Sequence, residues 1–249
     1  MDSLKASIPP LVDESTDPAV LKGYIKENLM ADTINPHFKI RVSDEFLKAK
    51  TDCLSKVQSF YSLVAYEGDD PCVSCNLRAE WECTRALREY FDMVRVKVTS
   101  AMFGEEFQRL ESTKGQRRFE ADLKVRYYPE RGPRKLGAHV DGNFMTFLWS
   151  DRPGLQFPKE TPESGLSPTD VRAIGLPSLC PPTISLKDEM WEDVAQHSRE
   201  IVITLGNGFF DEEIVKISEF AGINCPVLHR VSCSQSGDRF SIPYLFSVV

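Results

Sequence analysis

The feature that most constrains the fold of this 249-residue chain is a change of hydrophobic period near its middle. Up to about residue 103, apolar residues recur every three or four positions, as Leu21, Ile25 and Leu29 do, which predicts amphipathic helices. From ADLKVRYYP (121–129) onward, short apolar runs separated by Pro, Gly and Ser predict strands. Helices followed by strands indicate an α+β fold, and many short strands favour a sandwich or barrel.

The length fits a single domain over residues 1–249, with a mainly helical scaffold over 1–118 and a strand-rich core over 119–249. Residues 158–189 are a long, proline-rich insertion between predicted strands, and they form either a lid over a binding site or a surface excursion. The segment VLHRVSCSQSGDRFSIPYL is predicted as one hairpin that turns at Ser-Gly-Asp.

Charge and hydropathy exclude several classes of partner. The net charge of −7 argues against a general nucleic-acid binder and against binding to anionic membranes. The sequence contains no apolar run of about 18 residues, and its first residues lack the basic start and apolar core of a secretory signal. We therefore expect a cytoplasmic monomer whose partner is a small molecule.

The seven cysteines include a CVSC motif, Cys72 and Cys75. An odd number of cysteines without a secretory signal favours reduced thiols. A structural zinc site would need a second pair of ligands, and a redox pair would follow a strand. Neither is predicted here, so we interpret the motif as ordinary thiols at the start of a helix.

A Gly-Asn-Gly motif at 206–208 follows the predicted strand EIVITL. It is similar to a dinucleotide-binding turn, but the third glycine is missing and acidic residues follow, which disfavours phosphate. We set aside that interpretation.

The run LGAHVDGNFMTFLW (136–149) contains two potential metal ligands, His139 and Asp141. If the run is a strand, these side chains project from one face and can converge on a single ion. They can equally be a surface histidine beside a turn aspartate, because such a pair occurs easily by chance.

The C-terminal strands supply a third ligand and an anion site. His229 lies in PVLHRV, and ten residues later Arg239 and Ser241 share one face of the next predicted strand. Two imidazoles and one carboxylate form a facial triad suited to ferrous iron, because the remaining coordination positions stay open. Arginine with a serine hydroxyl can hold a carboxylate.

In this order, the segments resemble the iron(II)- and 2-oxoglutarate-dependent dioxygenases, in their isopenicillin N synthase-like branch. The resemblance rests on RYYP (126–129), LGAHVDGNFMTFLWSDRPGLQ, EIVITLGN, LHRV and RFSIPYLF. It implies a double-stranded β-helix (jelly roll) flanked by the N-terminal helices.

The resemblance also implies the roles of individual residues. His139, Asp141 and His229 would bind iron(II), while Arg239 and Ser241, helped by Tyr128, would hold the distal carboxylate of 2-oxoglutarate. Phe144 and Thr146 would contact the substrate. Members of the family use molecular oxygen to oxidise a C–H bond, with hydroxylation, desaturation or ring closure as the outcome.

Arg126 departs from the family pattern, which usually has asparagine two residues before the tyrosine that binds the cosubstrate. Strand alternation places Arg126 on the same face as Lys124 and Tyr128. If Tyr128 faces the cavity, Arg126 does too, and it favours a small, carboxylate-bearing, amino-acid-like substrate. An internal Asp or Glu, or the iron-proximal carboxylate of 2-oxoglutarate, could also be its partner.

Two alternatives to this enzyme remain open. The first is an iron-dependent oxidase of the same fold that does not use 2-oxoglutarate, which an assay for succinate would distinguish. The second is a catalytically inactive jelly roll that binds a ligand. Its usual sign would be a missing metal ligand, and all three are present.

Overall fold

The computed structural model describes ten segments of the chain. These are residues 8–31, 35–61, 73–104, 107, 119–130, 135–159, 187–210, 223, 226–232 and 237–248. Within them, the helices are α1 (Pro18–Ala31), α2 (Asp44–Phe60) and α3 (Glu82–Phe103). The strands are β1 (His37–Arg41), β2 (Val73–Asn76), β3 (Phe119–Tyr128), β4 (Lys135–His139), β5 (Met145–Ser150), β6 (Leu155–Pro158), β7 (Trp191–Asp193), β8 (Glu200–Leu205), β9 (His229–Ser232) and β10 (Arg239–Val248).

The strands form two sheets. The six-stranded sheet has the order β1-β8-β5-β10-β3-β2, and the four-stranded sheet has the order β4-β9-β6-β7. Every neighbouring pair in both sheets is antiparallel. This architecture confirms the predicted α+β fold, a jelly-roll core with helices beside it.

One face of the six-stranded sheet packs against the helices and forms the main core. Alternate residues of β5, such as Phe147 and Trp149, are fully buried in this core. The ring of Phe46 in α2 lies 6.4 Å from that of Trp149 and 5.5 Å from that of Phe91 in α3. The helix α2 begins after Ser43, whose hydroxyl accepts a hydrogen bond from the Phe46 N–H.

The opposite face of the six-stranded sheet is turned toward the four-stranded sheet. A small apolar cluster joins the two sheets there, with Leu148 and Val202 from the larger sheet and Leu155 and Phe157 from the smaller one. Because side chains alternate along a strand, each strand of the larger sheet contributes one set of residues to the helices and the other to the space between sheets. None of the helices among the described residues is long and apolar enough to cross a membrane.

The sequence analysis predicts a helical first third of the chain. The structure also contains two strands there. Strands β1 and β2 form the two edges of the six-stranded sheet, where β1 pairs with β8 and β2 with β3. Cys75 is therefore buried in β2 and does not begin a helix, while α3 begins at Glu82. Cys72 lies outside the described residues. Pairing with distant strands decided these short segments, and helical periodicity did not reveal it.

The predicted C-terminal hairpin is also wrong. Strand β9 belongs to the four-stranded sheet and β10 to the six-stranded sheet, so the chain crosses from one sheet to the other between them. The insertion predicted over 158–189 is described only at its ends, because residues 160–186 lie outside the described part of the chain. A lid function there stays a prediction.

Candidate metal centre

The three predicted metal ligands come together at one end of the space between the sheets. His139 ends β4 and His229 begins β9, and the two are direct partners across the four-stranded sheet. Their ring centroids are 4.3 Å apart. The Asp141 oxygens lie 3.7 Å from Nε2 of His139 and 3.8 Å from Nε2 of His229. One ligand atom from each residue lies within 4.8 Å of the others, which is close enough to share an ion.

Asp141 reaches this position in a different way from the one predicted. Strand β4 ends at His139, so Asp141 belongs to the connection that leads from the four-stranded sheet to β5 in the six-stranded sheet. The convergence therefore depends on the path of this connection and not on strand alternation.

Backbone carbonyls orient both imidazoles. Nδ1 of His139 lies 2.7 Å from the Gly137 carbonyl oxygen, and Nδ1 of His229 lies 3.1 Å from the Val227 carbonyl oxygen. A carbonyl can only accept, so each Nδ1 carries the hydrogen and donates it. Each Nε2 then keeps its lone pair and faces Asp141, the arrangement that metal-binding histidines commonly have.

The electrostatic environment keeps His139 and Asp141 in the protonation states that a metal requires. Burial, followed by the proximity of His229, lowers the pKa of His139 to about 4. Burial raises the pKa of Asp141, but His229, the hydrogen bond from Thr146 and His139 outweigh it and leave the pKa below the ordinary value. At neutral pH His139 is therefore neutral and Asp141 is a carboxylate.

Thr146 contacts the ligand set directly. Its hydroxyl, which is almost fully buried, donates a hydrogen bond to Oδ2 of Asp141 at 2.5 Å. The Asn143 side-chain amide in turn donates to the Thr146 oxygen at 3.0 Å. The predicted contact of Thr146 with the substrate stays a prediction, since Thr146 lines the cavity, and its hydroxyl also positions Asp141. Asn143 was missed, although an Asp-Gly-Asn turn after a ligand is a signal for such local bonds.

Phe144 does not reach the cavity, contrary to the prediction. Its side chain is fully buried among aromatic rings, with ring centroids 5.5 Å from Phe107, 5.4 Å from Phe209 and 5.6 Å from Phe246. Phe144 lies in the bend before β5, so the alternation of that strand does not extend to it. It is a core residue on the helix side of the larger sheet.

The Gly-Asn-Gly motif holds the connection that carries Asp141. The N–H groups of Gly206, Asn207 and Gly208 donate to the carbonyls of Phe144, Asp141 and Asn143 at 3.1, 2.9 and 3.1 Å. A Cβ at Gly206 would lie only 2.1 Å from the Asn143 carbonyl oxygen. The motif therefore allows two backbones to approach closely, a use of glycine that its position after a buried strand could have indicated.

A cavity between the sheets is lined by two of the three proposed metal ligands, Asp141 and His229. Its polar lining consists of Arg126, Tyr128, Asp141, Thr146, His229, Arg239 and Ser241, and its apolar lining of Leu136, Leu148, Leu155, Val231, Pro243 and Leu245. In the register of the neighbouring strands β10 and β3, Arg239 lies opposite Tyr128 and Ser241 lies opposite Arg126. Among the predicted cosubstrate and substrate residues, the structure brings all but Phe144 to this cavity.

Arg239 has unused hydrogen-bonding capacity. Only 1% of the residue is exposed, its Nε donates to the Arg152 carbonyl at 3.1 Å, and its guanidinium carbon lies 5.0 Å from the centre of the Tyr128 ring. Nη1 and Nη2 are buried and have no hydrogen-bond partner among the described residues. Burying such a group unpaired is costly, which indicates that an anionic ligand belongs beside it.

No family model and no curated protein sequence matches the chain. Among solved structures, a Caulobacter crescentus protein assigned to the 2OG-Fe(II) oxygenase family matches with a TM-score of 0.58 at 13% identity, over 98% of this chain and 87% of that one. A protein assigned as an oxygenase from Shewanella oneidensis matches with a TM-score of 0.54 at 16% identity, over 96% of this chain and 90% of that one.

A third similar structure is JOX2 in complex with 2OG, Fe and JA, with a TM-score of 0.53 at 16% identity over 96% of this chain and 74% of that one. The chain has the fold of the 2OG-Fe(II) oxygenases. At these identities the likeness establishes the fold alone.

Proposed function

We propose that this protein is an iron(II)- and 2-oxoglutarate-dependent oxygenase that uses molecular oxygen to oxidise a C–H bond of a small molecule. One observation carries the proposal. His139, Asp141 and His229 converge at the cavity in which the buried Arg239 presents two unpaired nitrogens.

The residues present fit both absent groups. Two neutral imidazole nitrogens and one carboxylate are the donor set that suits ferrous iron with open coordination positions. Arg239 and the neighbouring Ser241 can bind one carboxylate of 2-oxoglutarate, and Tyr128 packs against the guanidinium. When bound, iron would activate molecular oxygen, which is the oxidant, and 2-oxoglutarate would supply two of the electrons that reduce it while the C–H bond supplies the other two.

The chain's own residues position these groups and exclude water. Thr146 fixes the Asp141 carboxylate, the Gly137 and Val227 carbonyls orient the imidazoles, and leucines such as Leu148 keep the cavity apolar. Hydroxylation, desaturation and oxidative ring closure all begin at the same C–H bond, and we include all three. The order of motifs supports the isopenicillin N synthase-like branch.

An oxidase of the same fold that does not use 2-oxoglutarate is the main competitor. In such an enzyme the two Arg239 nitrogens would have to bind a carboxylate of the substrate itself, so the formation of succinate distinguishes the two enzymes. An inactive ligand-binding jelly roll is disfavoured because all three ligand side chains converge.

The proposal is tested by binding measurements followed by turnover. Anaerobic equilibrium dialysis should show one ferrous ion per chain in the wild type and none in Asp141→Ala or His229→Ala, with folding retained by circular dichroism. Removing the charge-assisted bonds in Arg239→Ala should weaken 2-oxoglutarate binding about 10- to 150-fold in calorimetry.

Arg88→Ala is a matched control, since Arg88 is an arginine of α3 that donates to the Ala121 carbonyl outside the cavity. Its affinity for 2-oxoglutarate should equal that of the wild type. Full iron binding in either ligand variant would overturn the proposal. Substrate oxidation without succinate formation would support the oxidase instead.

A further inference from the structure

Arg126 is a second cationic side chain in the same cavity. The proposed function assigns no role to it. It lies on β3, where its register partners are Ser74 of β2 and Ser241 of β10. It lines the cavity and forms no hydrogen bond or ion pair with any residue of the described part of the chain. By contrast Lys124, two residues earlier on the same face, pairs with Asp122 at 2.6 Å.

Arg126 lies toward the metal ligands, whereas Arg239 lies away from them. Arg126 lies opposite Ser241 of β10, two residues farther along that strand than Arg239. Thr146, which bonds to Asp141, pairs with β10 still farther along in the same direction, so Arg126 is nearer than Arg239 to the iron end of the cavity. The two guanidinium groups therefore serve different parts of the cavity.

The charges of the loaded cavity do not balance without a further anion. The carboxylate of 2-oxoglutarate beside Arg239 would neutralise that arginine. At the iron end, ferrous iron would bring two positive charges and Arg126 one, against one negative charge from Asp141 and one from the other carboxylate of 2-oxoglutarate. No other charged side chain lines the described cavity, since the ligating histidines are neutral. One positive charge remains uncompensated in a cavity with an apolar wall, where an unpaired charge is costly.

The rest of the lining narrows the identity of that anion. Apart from Asp141, the described lining contains no carboxylate that could accept a substrate ammonium group, and the remaining wall includes Leu136, Leu155, Val231 and Leu245. An amino-acid-like substrate, as the sequence suggested, would bury its ammonium group without a partner.

We propose that Arg126 is a specificity-determining residue that binds the carboxylate of the substrate, and that the substrate is an organic monocarboxylate with an apolar body and no ammonium group. This inference rests on the proposed function, because the charge balance includes bound iron and 2-oxoglutarate.

The test measures binding directly, without turnover. The protein is loaded anaerobically with ferrous iron and saturated with 2-oxoglutarate, and calorimetry then follows matched sets of probes. One set is hexanoate, hexanamide and norleucine, and another is phenylpropanoate, phenylpropanamide and phenylalanine. In each set that binds, the acid should bind more tightly than both its amide and its amino acid.

Arg126→Gln should weaken binding of the acid about 10- to 150-fold, as expected for loss of a charge-assisted interaction, and should remove the difference between acid and amide. Arg126→Lys should restore part of the affinity for the acid, because lysine restores the positive charge but lacks the two parallel N–H donors of a guanidinium group. Lys124→Gln removes a positive charge from the same face of β3 and should leave every affinity unchanged.

Four results would overturn the inference. The first is that no acid binds the wild type more tightly than its amide, and the second is that the amino acids bind as tightly as the acids. The third is that Arg126→Gln weakens 2-oxoglutarate binding by the same factor, which would assign Arg126 to the cosubstrate. The fourth is a lower melting temperature with unchanged affinities, which would make Arg126 structural. A wild type that binds neither iron nor 2-oxoglutarate refutes the proposed function instead, so the two failures are distinguishable.

Discussion

Replacing Thr146 by valine tests how far the ligand geometry depends on a single hydroxyl. Valine keeps the shape of threonine but removes the donor that holds Oδ2 of Asp141 at 2.5 Å. A hydrogen bond to a charged group contributes about 1.5–3 kcal/mol. Losing a contact that orients a metal ligand typically costs about 10- to 100-fold in metal affinity, which is the same energy range. We therefore expect Thr146→Val to weaken ferrous iron binding by that factor.

The matched control is Thr204→Val. Thr204 is buried on β8 directly opposite Thr146 in the strand register, so the substitution removes a similar hydroxyl from the same sheet. Iron affinity is measured anaerobically by dialysis, and the melting temperature of each variant by calorimetry. Unchanged iron affinity in Thr146→Val, or an equal loss in Thr204→Val, would refute the idea that this hydroxyl positions Asp141.

Two further substitutions test the surroundings of the site. Gly206→Ala should lower the free energy of unfolding by about 1–3 kcal/mol or more, because its Cβ would meet the Asn143 carbonyl, and it should weaken iron binding as well. Chemical denaturation and dialysis check this, and wild-type values for both would contradict the role of the glycine. Phe144→Ala should lower the free energy of unfolding by about 3–5 kcal/mol while 2-oxoglutarate binding stays intact. A selective loss of cosubstrate affinity in Phe144→Ala would instead return that residue to the cavity.

The sequence predicts well which strand residues of the site face the cavity. On β3 and β10 a residue's parity decides whether it faces the helices or the cavity, so the placement of Arg126 beside Tyr128 and of Ser241 beside Arg239 could be predicted. The fold class followed in the same way, because a change of period from helix to strand is a local property of the sequence.

Features that depend on the path between elements could not be predicted. The sequence of β9 and β10 fits a hairpin as well as a crossover between sheets, because both use strands of the same period. Asp141 and Phe144 lie in the connection between β4 and β5, where side chains do not alternate as they do in a strand. The prediction that Asp141 lies close to His139 therefore rested on a strand alternation that does not apply there. The strands β1 and β2 are edge strands whose pairing partners lie far away in the chain.

The Gly-Asn-Gly motif has a structural role that the sequence analysis did not identify. The sequence analysis rejects a phosphate turn there, and in the structure the space beside the glycines is taken by the backbone of residues 141–144. A glycine pair after a buried strand indicates close approach, but the sequence does not say what approaches.

The backbone anchoring of the metal ligands has a consequence for how such a protein can change its specificity. Carbonyls of Gly137 and Val227 orient the histidines, and N–H groups of residues 206–208 hold the aspartate's segment, so much of the anchoring depends on main-chain atoms. The apolar wall at Leu148, Leu155 and Val231 is made of side chains that give no hydrogen bond to this anchoring. Substitutions in the wall can therefore reshape the substrate volume while the reactive centre stays in place, which makes the two parts of the site separately evolvable.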